Sequence, residues 1–120
     1  MKNRINFRAY KDHLILEADF SYCMVDEMIA AIDELGKTLS GQSENSTLVL
    51  KNVEGVRVDI RAISAMKDMW AKYKDKAKKV AICNLHGLKT IARDDVSMNI
   101  GINLPSFDSL EEAREYLIKD

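Results

Sequence analysis

Two short apolar runs, TLVLKNV at 47–53 and KKVAICNL at 78–85, do most to limit what this chain can become. Both suit strands buried on two faces, as in a parallel sheet, better than strands with one wet side. Between them lies IRAISAMKDMWAKYKDKA at 60–77. There Ile63, Met66, Trp70, Tyr73 and Ala77 alternate spacings of three and four, which predicts a helix with one apolar face. Asp59, just ahead of it, is its natural N-cap. A buried strand, an amphipathic helix and a second buried strand form the unit that alternates through an α/β fold.

The flanking segments extend the alternation. Residues 4–9 and 13–19 read as two strands joined by the polar turn YKDH, with Asp12 the turn residue. Ser21, or Asp19 before it, caps a helix over YCMVDEMIAAIDELGKTL. Met24, Met28, Ile32 and Leu35 supply its buried side, widened by Val25, Ile29 and Leu39. Gly36 loosens or ends its last turn. After the second buried strand, HGLKTIARDDVSMNI reads as a weaker helix facing the core through Leu88, Ile91, Ala92 and Val96. GINLPSF is a short closing strand, and Asp108 or Ser109 caps a final helix over 110–120 that buries Leu110, Ala113 and Leu117. The reading is a single α/β domain over 1–120. It has one mostly parallel sheet of about five strands, an antiparallel N-terminal edge strand and about four helices.

Composition narrows the function classes. The net charge of −1 gives no overall bias toward nucleic acid. The charge is uneven: −3 over residues 1–55, +7 over 56–93 and −5 over 94–120. The lysine run at 72–79 reads as a solvated helix end, because Trp70 and Tyr73 fall on the buried stripe and not among the lysines. The N-terminus lacks a signal-peptide core, and no apolar run approaches the roughly 20 residues that span a bilayer. The expected location is the cytoplasm, with Cys23 and Cys83 as thiols.

Catalytic and cofactor patterns are thin. Gly55 has no GxGxxG or GxxxxGK motif around it and reads as a turn residue. His13 and His86 lack HxxxH or HExxH spacing, which leaves metal ligation unsupported. Asp94 and Asp95 are adjacent on a helix and face different ways. The expectation is a protein without enzymatic activity and without a cofactor.

The succession of elements resembles the STAS domain, the fold of anti-sigma-factor antagonists, in its SpoIIAA-like branch. LVLKNVEG, KKVAICNLHGLKTIA and LPSFDSLEEAREYL carry the resemblance, with ADFSYCMVDEM in the first half. The resemblance implies a regulatory or protein-interaction module, or alternatively a binder of a small apolar ligand or lipid. In kinase-regulated antagonists the acceptor serine directly follows an aspartate at the start of the long helix. Here Ile60 and Arg61 follow Asp59, and Ser64 lies farther along, so the acceptor is missing from its place. The expected partner surface is the 54–59 loop with the exposed side of the following helix: Glu54, Gly55, Arg57, Asp59, Arg61 and Lys67. A protein partner is expected, with a homodimer as one form of it.

Overall fold

The computed structural model describes residues 3–119. Strands β1 (Ile5–Tyr10) and β2 (His13–Asp19) form an antiparallel hairpin, with Tyr10 opposite His13. Lys11 and Asp12 both take positive φ, of 45° and 65°. Two such residues make the tight turn whose twist matches that of paired strands. Helix α1 (Val25–Ser40), β3 (Thr47–Asn52), α2 (Ile60–Tyr73), β4 (Ala77–Cys83), α3 (Leu88–Ile100), β5 (Ser106–Phe107) and α4 (Leu110–Ile118) follow. The sheet order is β1-β2-β3-β4-β5, parallel from β2 onward.

That sequential order decides the layers. Three right-handed crossovers stepping in one direction must put their helices on one face of the sheet. The main core accordingly joins β2, β3 and β4 to α1, α2 and α3 through Leu16, Val49, Val80 and Ile82. Alternate residues of the same strands, Ile15, Leu48, Leu50, Ala81 and Cys83, pack against α4 on the other face. Helices on both faces account for the unbroken apolar runs of β3 and β4. They also explain why Ile15 spoils the alternation of β2: it and Leu16 are both fully buried, in opposite layers. Between β2 and α4, Arg114 Nε and Nη2 donate to the two oxygens of Glu17 at 2.8 and 3.1 Å.

The helix ends depart from expectation in instructive ways. The N-cap of α1 is Met24, with the Glu27 carboxylate accepting from its backbone N–H at 3.1 Å. Asp19 instead accepts from the backbone and hydroxyl of Ser21, closing a turn that precedes the helix. Starting late, α1 leaves Met24 exposed and buries Met28, Ile32, Leu35 and Leu39. Each such large side chain contributes about 1.5–3 kcal/mol. Gly36 does not end α1. It is buried where α1 crosses α2, and a Cβ there would stand 3.1 Å from Met69 Cγ and from Tyr73 Cε2.

Asp59 caps α2 as expected, its side chain accepting from Arg61 N at 2.8 Å. The helix stops at Tyr73 and tightens into a 3₁₀ turn at Lys74–Lys76, so Ala77 opens β4 and is not the last helical residue. Of the expected last strand only Ser106–Phe107 pairs, and Ser109 caps α4 by accepting from Glu112 N at 3.1 Å. The expected end of α4 at Asp120 lies outside the described residues.

Three lysines of the 72–79 run have local partners. Lys74 Nζ donates to the carbonyl of Ile100 at 2.7 Å, and Lys79 donates to the carbonyls of Tyr116 and Lys119. Both act at helix C-terminal ends, where a cation offsets exposed carbonyls. Lys76 pairs with Glu44 at 3.5 Å. Among the described residues no helix is long and apolar enough to cross a membrane.

Candidate functional site

Helix α3 is rotated about its own axis away from its expected orientation. Leu88 and Ile91, expected in the core, are 70% and 67% exposed, and Met98 on the same stripe is also exposed. Val96 is buried as expected, with Ala92 half-buried. The inward side instead carries Lys89 and Arg93. Lys89 Nζ donates to the carbonyls of Val53 at 2.8 Å and Asn84 at 3.1 Å. Arg93 donates to the carbonyl of Leu104 at 2.9 Å and to Asp94 at 2.7 Å. Three strand-end loops bring carbonyls to this point, and buried backbone left unsatisfied is costly. Meeting those carbonyls turns two cations inward and leaves an apolar stripe facing water.

Between α2 and α3, over the carboxyl ends of β3 and β4, runs a half-open apolar groove. Its walls include Val53, Val56, Ile63, Met66, Ile82 and Val96, and its free space is about 80 Å3. That is well short of the roughly 300 Å3 typical of a small-molecule pocket, so the groove is too small to enclose a lipid. Exposed apolar residues continue from the lining along the chain. Val58 lines the groove, Ile60 follows Asp59, and Leu88 and Ile91 precede Lys89 and Ala92.

The expected partner residues fall into two groups. Glu54, Gly55, Arg57, Asp59 and Arg61 follow one another along the segment from the end of β3 to the start of α2, and of these Arg57 and Asp59 line the groove. Gly55 has φ +69°, and a Cβ there would lie 2.3 Å from Tyr22 Cδ1, so both the backbone and the overlying ring require glycine. Tyr22 N also donates to the Glu54 carbonyl at 2.8 Å, tying this loop to the one before α1. Arg61 spans Asp59 at 3.4 Å and Asp26 at 3.9 Å. Hydrogen bonding from the Arg61 backbone N–H holds the Asp59 carboxyl below its usual value, as befits a helix cap. Lys67 stands apart, paired with Asp95 of α3 at 2.6 Å.

One residue of the groove was missed by sequence reasoning. Lys51 lies in β3 and is 4% exposed. Its Nζ has the sulfur of Met66 at 3.5 Å and the ring of Trp70 with its centroid at 5.9 Å. Burial pushes its pKa down to about 8. The signal was available: strand alternation puts Lys51 on the same face as Val49 and Val53, within a run otherwise apolar. Cys83 is buried on the opposite face, where burial pushes its thiol up to about 11 and leaves it unreactive.

Sheet order, one antiparallel edge strand, three helices on one face and one on the other define a SpoIIAA-like α/β fold. Two solved structures share it. One is an uncharacterised protein of the DUF3478 family with a SpoIIAA-like fold from Shewanella loihica PV-4. It is 17% identical with a TM-score of 0.69, over 94% of this chain and 91% of that one. The other is an anti-sigma-factor antagonist (STAS) domain protein from Planctomyces limnophilus. It is 14% identical with a TM-score of 0.63, over 96% and 98% of the two chains. No protein-family profile and no curated protein matches the sequence. At these identities the likeness is one of fold, and fold alone does not assign an activity.

Proposed function

We propose that the protein is a non-enzymatic interaction module that docks a protein partner on the face formed by the 54–61 segment and the outer stripe of α3. The observation that carries this reading is the rotated helix α3, with cations turned inward and Leu88, Ile91 and Met98 turned out. Exposed single apolar residues are ordinary, but a helical stripe of three, with Val58 and Ile60 also exposed around the start of α2, is a feature of binding surfaces. Arg57 and Arg61 edge it, so the fitting partner offers apolar side chains flanked by carboxylates. The likeness to an anti-sigma-factor antagonist domain supports a regulatory setting. The positions after Asp59 hold Ile60 and Arg61, and the nearest hydroxyl, Ser64, lies in the second turn of α2. In this reading docking is therefore not switched by phosphorylation at the helix start.

The test pairs Leu88→Glu/Ile91→Glu with Arg57→Glu/Arg61→Glu. All four side chains are exposed, so both variants retain the fold. Partners captured from cells of the protein's source and identified by mass spectrometry are then titrated as purified proteins. The first variant should lose binding, and the second should weaken it with a reduced salt dependence. Unchanged affinity in both would refute the surface. Light scattering on the free protein distinguishes a second copy as the occupant: a dimer broken by the first variant would replace the partner with the chain itself.

A further inference from the structure

Lys51 is the groove residue whose chemistry its surroundings leave least complete. Its ammonium carries three donors, yet among the described residues no carboxylate or carbonyl oxygen is hydrogen-bonded to it. Its nearest partners are a thioether sulfur, a weak acceptor, and an aromatic face. That face belongs to Trp70, whose Nε1 is a buried donor with no acceptor among the described residues. Lysine is rarely buried this deeply unless it is paired. The other groove cations do not share the condition: Lys89 holds two carbonyls, Arg93 holds a carbonyl and a carboxylate, and Arg57 is exposed to water.

A buried cation without an oxygen partner, in a groove whose other charged residues are either paired (Asp59, Lys89, Arg93) or exposed to water (Arg57), calls for an acceptor-only group of single negative charge. A phosphate would bring about −1.5 to −2 charges against one such cation. A carboxylate brings one charge, and its two oxygens only accept. The groove's roughly 80 Å3 holds about five to eight water-sized groups, at about 10–15 Å3 each. That excludes a long acyl chain wholly inside and suits a short one.

We propose that the groove binds a short-chain monocarboxylic acid, with Lys51 holding the carboxylate and the walls from Val53, Ile63, Met66 and Val96 enclosing a tail of about two to five carbons. The proposal goes beyond the partner-docking reading and does not depend on it, because the acid would lie between α2 and the sheet, inward of the docking face.

The experiment titrates the protein with hexanoate, hexan-1-ol and hexylamine, followed by chemical-shift changes of the Ile63 and Val96 methyl groups and by calorimetry. A charge-assisted contact should make hexanoate bind at least about tenfold tighter than hexan-1-ol. Hexylamine should not bind. In Lys51→Met the preference for hexanoate should vanish while hexan-1-ol still binds, which separates loss of the cation from loss of the groove. Equal binding of acid and alcohol to the wild type would overturn the proposal. So would no response to hexanoate at millimolar concentration, or a Lys51→Met variant that keeps the preference.

Discussion

Replacing Lys51 by methionine should make the protein more stable. The drop in the lysine pKa from 10.5 to about 8 comes from burial alone. At about 1.4 kcal/mol per unit, the folded state bears roughly 3 kcal/mol for keeping that charge inside. The Trp70 ring, with its centroid 5.9 Å from Nζ, returns about 1 kcal/mol of this through its π face. Methionine approximates the length of the lysine stem and adds a fully apolar contact with Met66, so the net gain at pH 7 is about 2 kcal/mol. The pH dependence carries a sign. The unfolded chain keeps the Lys51 proton up to about pH 10.5, the folded chain only to about pH 8. Between these values the unfolded state binds more protons, so wild-type stability rises with pH through that window. The methionine side chain has nothing to titrate, so the variant's advantage is full below the folded-state value of about 8 and shrinks as pH rises toward 10.5. Urea unfolding at neutral pH and again inside that window, followed by far-UV circular dichroism, reads both values, with similar slopes showing that the compared states are unchanged. A variant no more stable than wild type at neutral pH, or a margin equal at both pH values, would refute the reasoning.

Two further changes test other parts of the frame. Gly36→Leu should destabilise by about 1–3 kcal/mol in a urea melt, because the side chain must enter the contact with Met69 and Tyr73; a neutral result would mean that α1 and α2 do not approach as closely as described. Asp59→Ala should destabilise through loss of the α2 cap at neutral pH. Since the folded-state pKa of Asp59 is lowered, its contribution is present above the unfolded value of 3.8 and lost as pH falls through the folded one. The gap between wild type and variant should therefore close in acid, and thermal melts at neutral pH and well below 3.8 would show it.

The two buried faces of the sheet differ in how completely their polar groups are paired. Under α4, Arg114 and Glu17 satisfy each other, and Tyr10 donates to Glu115 at 2.6 Å. Under α2 and α3, Lys89 and Arg93 meet loop carbonyls, whereas Lys51 has only a sulfur and a ring and Trp70 Nε1 has no acceptor among the described residues. A stable core is expected to complete its polar contacts, and incompleteness at one place marks that place for function.

How far the sequence alone reached can be read from particular residues. The 3-4 spacing through Ile63, Met66 and Trp70, the Asp59 cap and the two apolar strand runs are local patterns, and they determined the α/β order and the parallel sheet. The position of the 54–61 segment at a helix start followed from the same signals. Gly36 could not be read, because a glycine that ends a helix and one that admits a neighbouring helix look alike until the neighbour is placed. The facing of helix α3 could not be read either, because apolar periodicity reports only which side of a helix is greasy. Its rotation was decided by the carbonyls of Val53, Asn84 and Leu104, brought from three separate loops to meet Lys89 and Arg93. Burial of Lys51 likewise required α2 to lie over β3. Local propensity acts over a turn or a strand and is written in the chain, whereas the completion or non-completion of a buried polar group depends on residues that only the tertiary fold brings together.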